Sequence, residues 1–523
     1  MMSHRSFFVI LGASAASVVL LWGADIPLGV PGEWTWSRIR YADNAAVIDG
    51  LLGVVGAVAV GTVYVGLVVL GQRRITVSKR GEVASWLAGL AVAGFAWLWF
   101  VQQSPPAEYG LSRSVFVLHD PGASGYFTVA RNEASDVSRF LATYEARMVE
   151  GDVFHVGTHP PGLFLLHRGL LATCEWSPTM TSLVNTTRPL TVLDTFESIN
   201  TYVRSTDPLT ESEQAALWLG VLLTQAVAVA ALLPLYLLVR QTHSRSAAWM
   251  AAAFWPLTPA LAVFLPKSDA LYPFLGLLFL WLWQEGLLRR RGWMCALAGL
   301  TMWAGLLMSL ALLPVALFAV LRTGWGVWKP EADEPPRRFV VTATTWAGGM
   351  FAVATLLFYF VGDANLITIW NWNLGNHAAF YDQFTRTYWK WWLVNPLEFS
   401  MAVGLPMTLL AGLAVRQVIT SESSARAQQL GIPLACLLVW GLLWLSGKNM
   451  GEAARLWLVL APWPIWMAAG CFDETQTHKT QAHVATERPS TWSRTLIGIL
   501  VVQLIVSLAT VMRVSGFDFA GAG

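Results

Sequence analysis

Gly50-Leu-Leu-Gly-Val-Val-Gly-Ala-Val-Ala-Val-Gly-Thr-Val-Tyr-Val-Gly-Leu-Val-Val-Leu-Gly71, bracketed by Asp49 and by Gln72-Arg73-Arg74, carries no charge along its length. A bilayer core about 30 Å thick is crossed by about 20 apolar residues in a helix. Only a helix satisfies its own backbone groups there without water. The stretch therefore reads as a membrane span over 49–71, and similar runs recur along the chain. Of the 523 residues, 55% are hydrophobic and 13% charged, against roughly 25% charged in soluble domains. Many of the 28 Trp lie near the ends of apolar runs, as interfacial aromatic belts do. The chain is an integral membrane protein.

Thirteen spans are expected: 6–23, 49–71, 83–102, 213–239, 246–264, 270–288, 292–305, 308–321, 339–361, 395–415, 429–446, 455–471 and 494–513. The stretch 292–321 also reads as one long tilted helix around Pro314, but two short helices keep the basic loops on one side. The first run, after Arg5, is long for a secretory signal and reads as an uncleaved helix. The fold class is an all-α polytopic membrane protein. Three parts are expected: two N-terminal helices in 1–82, a central module in 83–361, and C-terminal helices in 362–523.

Orientation follows the Lys/Arg bias of short loops. Arg73, Arg74, Lys79 and Arg80, then Arg289 to Arg291, then Arg322, Lys329, Arg337 and Arg338 share one side if the N-terminus is cytoplasmic. The loops 24–48, 103–212, 362–394 and 447–454 are then extracytoplasmic. They are the polar, aromatic-rich ones, so function is expected there, at a plasma membrane. A net charge of +2 without a long basic run gives no sign of nucleic acid, and the four Cys form no disulfide or metal pattern. Asp-x-Asp, Walker A, His-Glu-x-x-His and Gly-x-Ser-x-Gly motifs are absent.

Loop 103–212 holds a polar helical run from Asp136 to Gly151. Val137, Phe140, Leu141, Tyr144 and Met148 recur at helical spacing, opposite Asp136, Arg139, Thr143 and Arg147. This reads as an amphipathic helix lying on the membrane surface, with Ser135 as N-cap. Asp136 in its first turn either complements the helix dipole or does chemistry. Next come His159-Pro160-Pro161-Gly162 and a short apolar run, Leu163 to Thr173, expected to dip into the interface. The prolines fix a helix start and hold His159 at the boundary. His155 and His159 are four apart near Asp152, a metal-binding spacing if helical, which the prolines oppose.

Three further segments carry chemistry. Lys267 and Asp269, in Pro266-Lys-Ser-Asp269, pair with each other or with a phosphate, or are a snorkelling Lys and an N-cap. Asn371 to Lys390 interleaves Asn376, His377 and Arg386 with aromatics; this suits sugar stacking and phosphate pairing, although an interfacial belt also explains the aromatics. Arg455 enters an apolar run behind Glu452, and the two either satisfy each other or serve a site at the membrane edge.

Asp-x-x-Arg-Phe, a further helical stretch ending in Gly, and His-Pro-Pro together resemble the first extracytoplasmic loop of GT-C glycosyltransferases. The likeness is to the branch of protein O-mannosyltransferases and lipid A aminoarabinose transferases, and its specific part is confined to 135–162. It implies a GT-C-like fold with two juxtamembrane helices in the loop. It also implies Asp136 as the catalytic base, and His159 at the place of a His or Lys near the carrier phosphate. Lys267 with Asp269 and the late Arg455 are similar to recurrent features of these enzymes. Val137 departs from the family's Asp-Glu pair, the stretch before His-Pro-Pro is shorter, and one more span precedes the loop. Glu133 and Asp43 are the substitute bases.

The expected activity is transfer of a sugar from a polyprenyl-phosphate donor to a lipid, glycan or protein acceptor outside the membrane. Asp136 would be the base, and His159, Lys267, Asp269, Asn376, His377, Arg386 and Arg455 would bind substrate. No cofactor is expected, and a divalent metal stays open. A transporter or flippase of a lipid-linked or small polar substrate is the alternative, without visible inverted repeats. A non-catalytic scaffold of envelope assembly is a third.

Overall fold

A computed structural model describes residues 4–203, 206–329, 335–420, 426–472 and 491–517, with the backbone alone at 155, 426–429 and 491–493. Among these residues the chain is almost entirely helical; its four strands are two residues each. Among the described residues nine helices are long and apolar enough to cross a membrane: His4–Gly23, Asn44–Arg74, Arg80–Val101, Glu211–Thr242, Arg245–Phe264, Ser268–Leu288, Leu310–Trp328, Arg337–Gly362 and Arg494–Val511. A bent pair, Tyr388–Val403 and Leu405–Thr420, makes up to ten. Three more segments expected to span, Gly292–Met308, Leu430–Leu445 and Leu458–Cys471, are apolar helices of 10–17 residues. Length and composition thus support nine or ten crossings where the sequence reading expected thirteen.

Burial sorts these helices by depth in the bundle. Arg245–Phe264 is buried throughout, whereas Arg337–Gly362 is mostly exposed on its apolar side chains. The central helix is rich in Ala, at 247, 248, 251, 252, 253, 260 and 262. Small residues let helix backbones approach closely where lipid offers no hydrophobic drive for association. Outward Val63, Val92, Phe360 and Val361 are exposed, as lipid-facing residues are.

Two buried amides bridge helices inside the bundle. Gln102 Nε2 donates to Gln225 Oε1 at 3.0 Å, and Gln225 Nε2 to Phe95 O at 2.9 Å. The expected span 395–415 is instead broken at Gly404, where the two halves meet at 105°. Gly404 has φ +97°, a conformation that favours glycine. A Cβ there would also fall 2.3 Å from the Gln503 amide. That amide donates to Val403 O at 2.8 Å and to Leu257 O at 3.2 Å. A break inside a bundle is tolerated when a neighbour satisfies the freed carbonyl, and Gln503 does so.

Contacts join three polar ends: Arg245 Nη1 donates to Ser78 O at 2.8 Å, and Gln241 Nε2 donates to Glu285 Oε2 at 3.0 Å, one turn before Arg289. Other contacts join the polar segments. Gly29–Val30 pairs with Trp34–Thr35, and Ser37–Arg38 pairs with Val514–Ser515 in antiparallel register. The first and last described polar segments are therefore joined.

Both long extracytoplasmic segments contain helices. The segment 362–394 contains a helix, Leu366–Gln383, capped by Asn365. The amphipathic run 136–151 is two short helices, Val137–Ala142 and Tyr144–Val149, because Thr143 closes the first with its hydroxyl on Arg139 O. Asp136, not Ser135, is the N-cap of the first.

Candidate functional site

The turn Pro266-Lys267-Ser268-Asp269 joins two core helices, so its groups have little water. Lys267 is 5% exposed. Among the described residues no hydrogen bond or ion pair reaches its Nζ. Burial pushes its pKa down to about 7, and the Arg455 charge acts in the same direction; Asp269, Glu452 and Asp120 oppose both. A buried cation without a direct counter-ion is costly.

Arg455 sits in the turn of helix Ala453–Leu456 and ion-pairs with Glu452. The spacing that allowed mutual satisfaction is therefore used. Yet Arg455 also lies in the field of Asp269, Tyr126 and Tyr272. Glu452 has φ +56° and Asn449 φ +60°. Left-handed backbone at residues other than glycine costs about 1–2 kcal/mol each, and such strain clusters at functional sites.

Two tyrosines link this pair to the His-Pro-Pro turn. Tyr272 Oη donates to Ser268 Oγ at 3.3 Å, and Tyr126 hydrogen-bonds the same hydroxyl. The Tyr126 ring meets the His159 ring edge-on at 5.4 Å. His159 is held by its carbonyl, which accepts from Tyr144 Oη at 2.8 Å. His159, Lys267, Asp269 and Arg455 thus belong to one neighbourhood.

Arg386 reaches the same turn from the other side. Its guanidinium donates to Glu33 O at 2.6 Å, lies 5.8 Å from the Phe380 ring centre and feels the Glu452 charge. Glu33 is the anchor of this segment. It accepts from Thr387 N at 2.8 Å, Thr387 Oγ1 at 2.6 Å, Trp391 Nε1 at 2.8 Å and Lys390 Nζ at 3.1 Å. Burial works to raise the Glu33 pKa, but these four donors outweigh it and hold the carboxyl at about 2. Tyr381 Oη accepts from Met450 N at 3.0 Å, and His377 Nε2 lies 3.4 Å from Asn449 Nδ2. Asn376 is buried, and its amide donates to Met148 O and Gly157 O at 3.0 and 2.9 Å. The Asn376 amide thus ties its helix to the stretch 148–157.

Asp136 is exposed, and its Oδ1 accepts from Arg139 N at 3.0 Å, which is N-cap geometry. Among the described residues no hydrogen bond or ion pair joins it to Lys267 or Arg455. The substitutes are engaged elsewhere: Glu133 pairs with Arg147, and Asp43 caps the helix Asn44–Arg74 through Ala46 N. Asp152 accepts from the backbone of Phe154, Val156 and Gly157, and the His155 side chain lies outside the described residues. Among the described residues no group of three His, Cys, Asp or Glu could hold a metal. The run after Gly162 is a helix, Gly162–Trp176, packed on Glu211–Ala230 and burying His167.

Glu33, Glu398, Tyr126 and Tyr272 were not singled out from sequence. Glu398 Oε1 accepts from Trp36 Nε1 at 2.7 Å and from Ala454 N at 3.0 Å, so it holds the turn that carries Arg455. A carboxylate within an apolar span is itself a signal, and Glu398 gave it. Glu33 gave none, because its partners lie more than 350 residues away.

No family model matches the chain, and no protein of curated function matches it. Among solved structures, an oligosaccharyltransferase of Archaeoglobus fulgidus in complex with Zn and sulfate is similar at 14% identity and TM-score 0.38. That match covers 62% of this chain and 44% of that one. The archaeal oligosaccharyltransferase AglB of Archaeoglobus fulgidus, with an inhibitory peptide and a dolichol-phosphate, is similar at 13% identity and TM-score 0.40, covering 75% and 57%. The chain spans about half the length of these structures. Likeness of that degree leaves the functional reading to the residues.

Proposed function

We propose that the chain is an integral membrane glycosyltransferase that moves a sugar from a polyprenyl-phosphate carrier to an acceptor hydroxyl outside the membrane. The observation that carries this reading is Lys267: a buried cation without a direct counter-ion, beside Arg455, where apolar helices meet polar loops. A carrier of this class leaves its tail in the bilayer and presents one phosphate at that boundary. In the reaction the acceptor oxygen bonds to the anomeric carbon. The bond from that carbon to the phosphate oxygen breaks, and the electron pair leaves with the phosphate. Lys267 and Arg455 would stabilise that charge in a poorly hydrated site, with His159 and Arg386 at its margins.

The acceptor proton goes to a carboxylate. Asp136 is assigned this role by its place in the Asp-x-x-Arg-Phe to His-Pro-Pro stretch; Asp269 competes because it stands among the cations. Transport is the second reading. It needs ionisable groups at mid-depth; Gln102, Gln225 and Gln503 bridge helices as neutral amides, and Glu398, the carboxylate within an expected span, is bonded to Trp36 and Ala454 beside the Arg455 turn.

The test uses purified protein in proteoliposomes, a panel of polyprenyl-phosphate hexoses and pentoses, and lipid and glycan acceptors. Lys267→Met and Arg455→Met should each lose most transfer while reaching the membrane normally. Removal of the general base should lower turnover by about 10²–10⁴-fold, and the drop should appear in Asp136→Asn rather than Asp269→Asn. Near-normal turnover by Lys267→Met would sink the assignment. Movement of intact donor across the bilayer without bond cleavage would establish transport instead.

A further inference from the structure

The segment that follows the last described helix folds back onto the Lys267 turn. Ile39 N donates to Arg513 O at 2.9 Å, and Arg513 Nη1 donates to Ile39 O at 2.8 Å. Val514–Ser515 completes the two-stranded pairing with Ser37–Arg38. Arg113 Nη1 donates to Ser515 Oγ at 2.9 Å. Gly516 packs so tightly that a Cβ would fall 2.3 Å from Val263 O. The strand pairing, two arginines and this close approach together fix where Phe517 lies.

Phe517 is buried with Val117 and Ala123. Its ring centre is 5.1 Å from Arg113 Cζ and 5.9 Å from Lys267 Nζ. Two cations share one ring, and the ring's negative face attracts both. Three carboxylates, Asp269, Glu452 and Asp120, act on Lys267 electrostatically, yet none forms an ion pair with it. The contact that the ammonium does make is with the Phe517 ring.

We propose that Phe517 is a positioning residue that holds the Lys267 ammonium off the neighbouring carboxylates, so that it stays available to the phosphate of a polyprenyl carrier. The inference rests on the reading of Lys267 as the phosphate-binding cation. It adds that a segment nearly 250 residues further along the chain is a working part of that site.

The test is a double-mutant cycle on the full chain in nanodiscs, with radiolabelled undecaprenyl phosphate as the probe. Phe517→Leu should weaken binding by about 5–30-fold, the span of a cation–π contact from exposed to desolvated, and Phe517→Tyr should stay within about twofold of wild type. On the Lys267→Met background Phe517→Leu should add nothing, since its effect runs through the ammonium. Phe517→Met makes the same test if Phe517→Leu does not reach the membrane. An equal loss on both backgrounds would show a merely structural ring and overturn the proposal. Unchanged binding by Phe517→Leu beside a weakened Lys267→Met would overturn it while leaving the Lys267 reading in place. Unchanged binding by Lys267→Met would remove the reading itself.

Discussion

The Lys267 ammonium faces Arg455, Asp269, Glu452 and Asp120, and burial holds its pKa near 7. An unfolded lysine titrates near 10.4. Between those values the unfolded chain binds more protons, so this group adds to stability as pH rises from about 7 to about 10. Catalysis runs the other way, because only the cation stabilises a leaving phosphate. We predict that kcat/KM for the donor falls as pH rises through about 7. In Lys267→Arg that alkaline limb should move up by several pH units, since a guanidinium stays charged. A pH–rate profile with an unshifted limb in Lys267→Arg would assign the titration to another group. Asp136 stands in contrast. Its cap geometry is what a purely structural residue would show, and only turnover separates the two roles.

The element that matters most at the site is the segment Phe384 to Trp391, which brings Arg386 to the Glu452 turn and is clamped by one side chain from the first polar loop. Glu33 accepts four hydrogen bonds from this segment, and charge-assisted bonds are worth about 1.5–3 kcal/mol each before context. We predict that Glu33→Gln lowers the melting temperature in detergent, with a loss of about 1–3 kcal/mol, and weakens donor binding through Arg386. Because the Glu33 pKa is held at about 2, its contribution is complete above the ordinary carboxylate range and is lost as pH falls toward 2. Wild type and Glu33→Gln should therefore converge in stability at acid pH. Parallel curves would mean that the carboxylate charge is not what clamps the segment.

Across the whole molecule, charge falls into groups. The basic stretches around Ser78, Arg245 and Glu285 meet through Arg245 and Gln241, and Glu33, Arg386, Glu452, Arg455 and Lys267 form a separate group. The four native cysteines are buried, so single exposed cysteines can report sidedness over a low background. Ser135→Cys should react with a membrane-impermeant maleimide in intact cells, and Gly81→Cys only after permeabilisation. The reverse pattern would invert the orientation and place the site on the cytoplasmic side.

Sequence alone determined the membrane class and the place of most helices, because an apolar run of about 20 residues has one way to satisfy its backbone in lipid. It also marked Lys267, Asp269 and Arg455, since charges at the ends of apolar runs stand out against their surroundings, and Arg386 by its aromatic and amide neighbours in sequence. Only the tertiary structure decided which of them share a site. It joined the Asn376 amide to Met148 O and Gly157 O. It split the helix after Asp136, broke a span at Gly404, and carried Glu33 and Phe517 to partners hundreds of residues away. The physical reason is one of range. Hydropathy is local and can be read in a window, whereas the neighbours of a buried charge are chosen by packing between segments that the sequence leaves far apart.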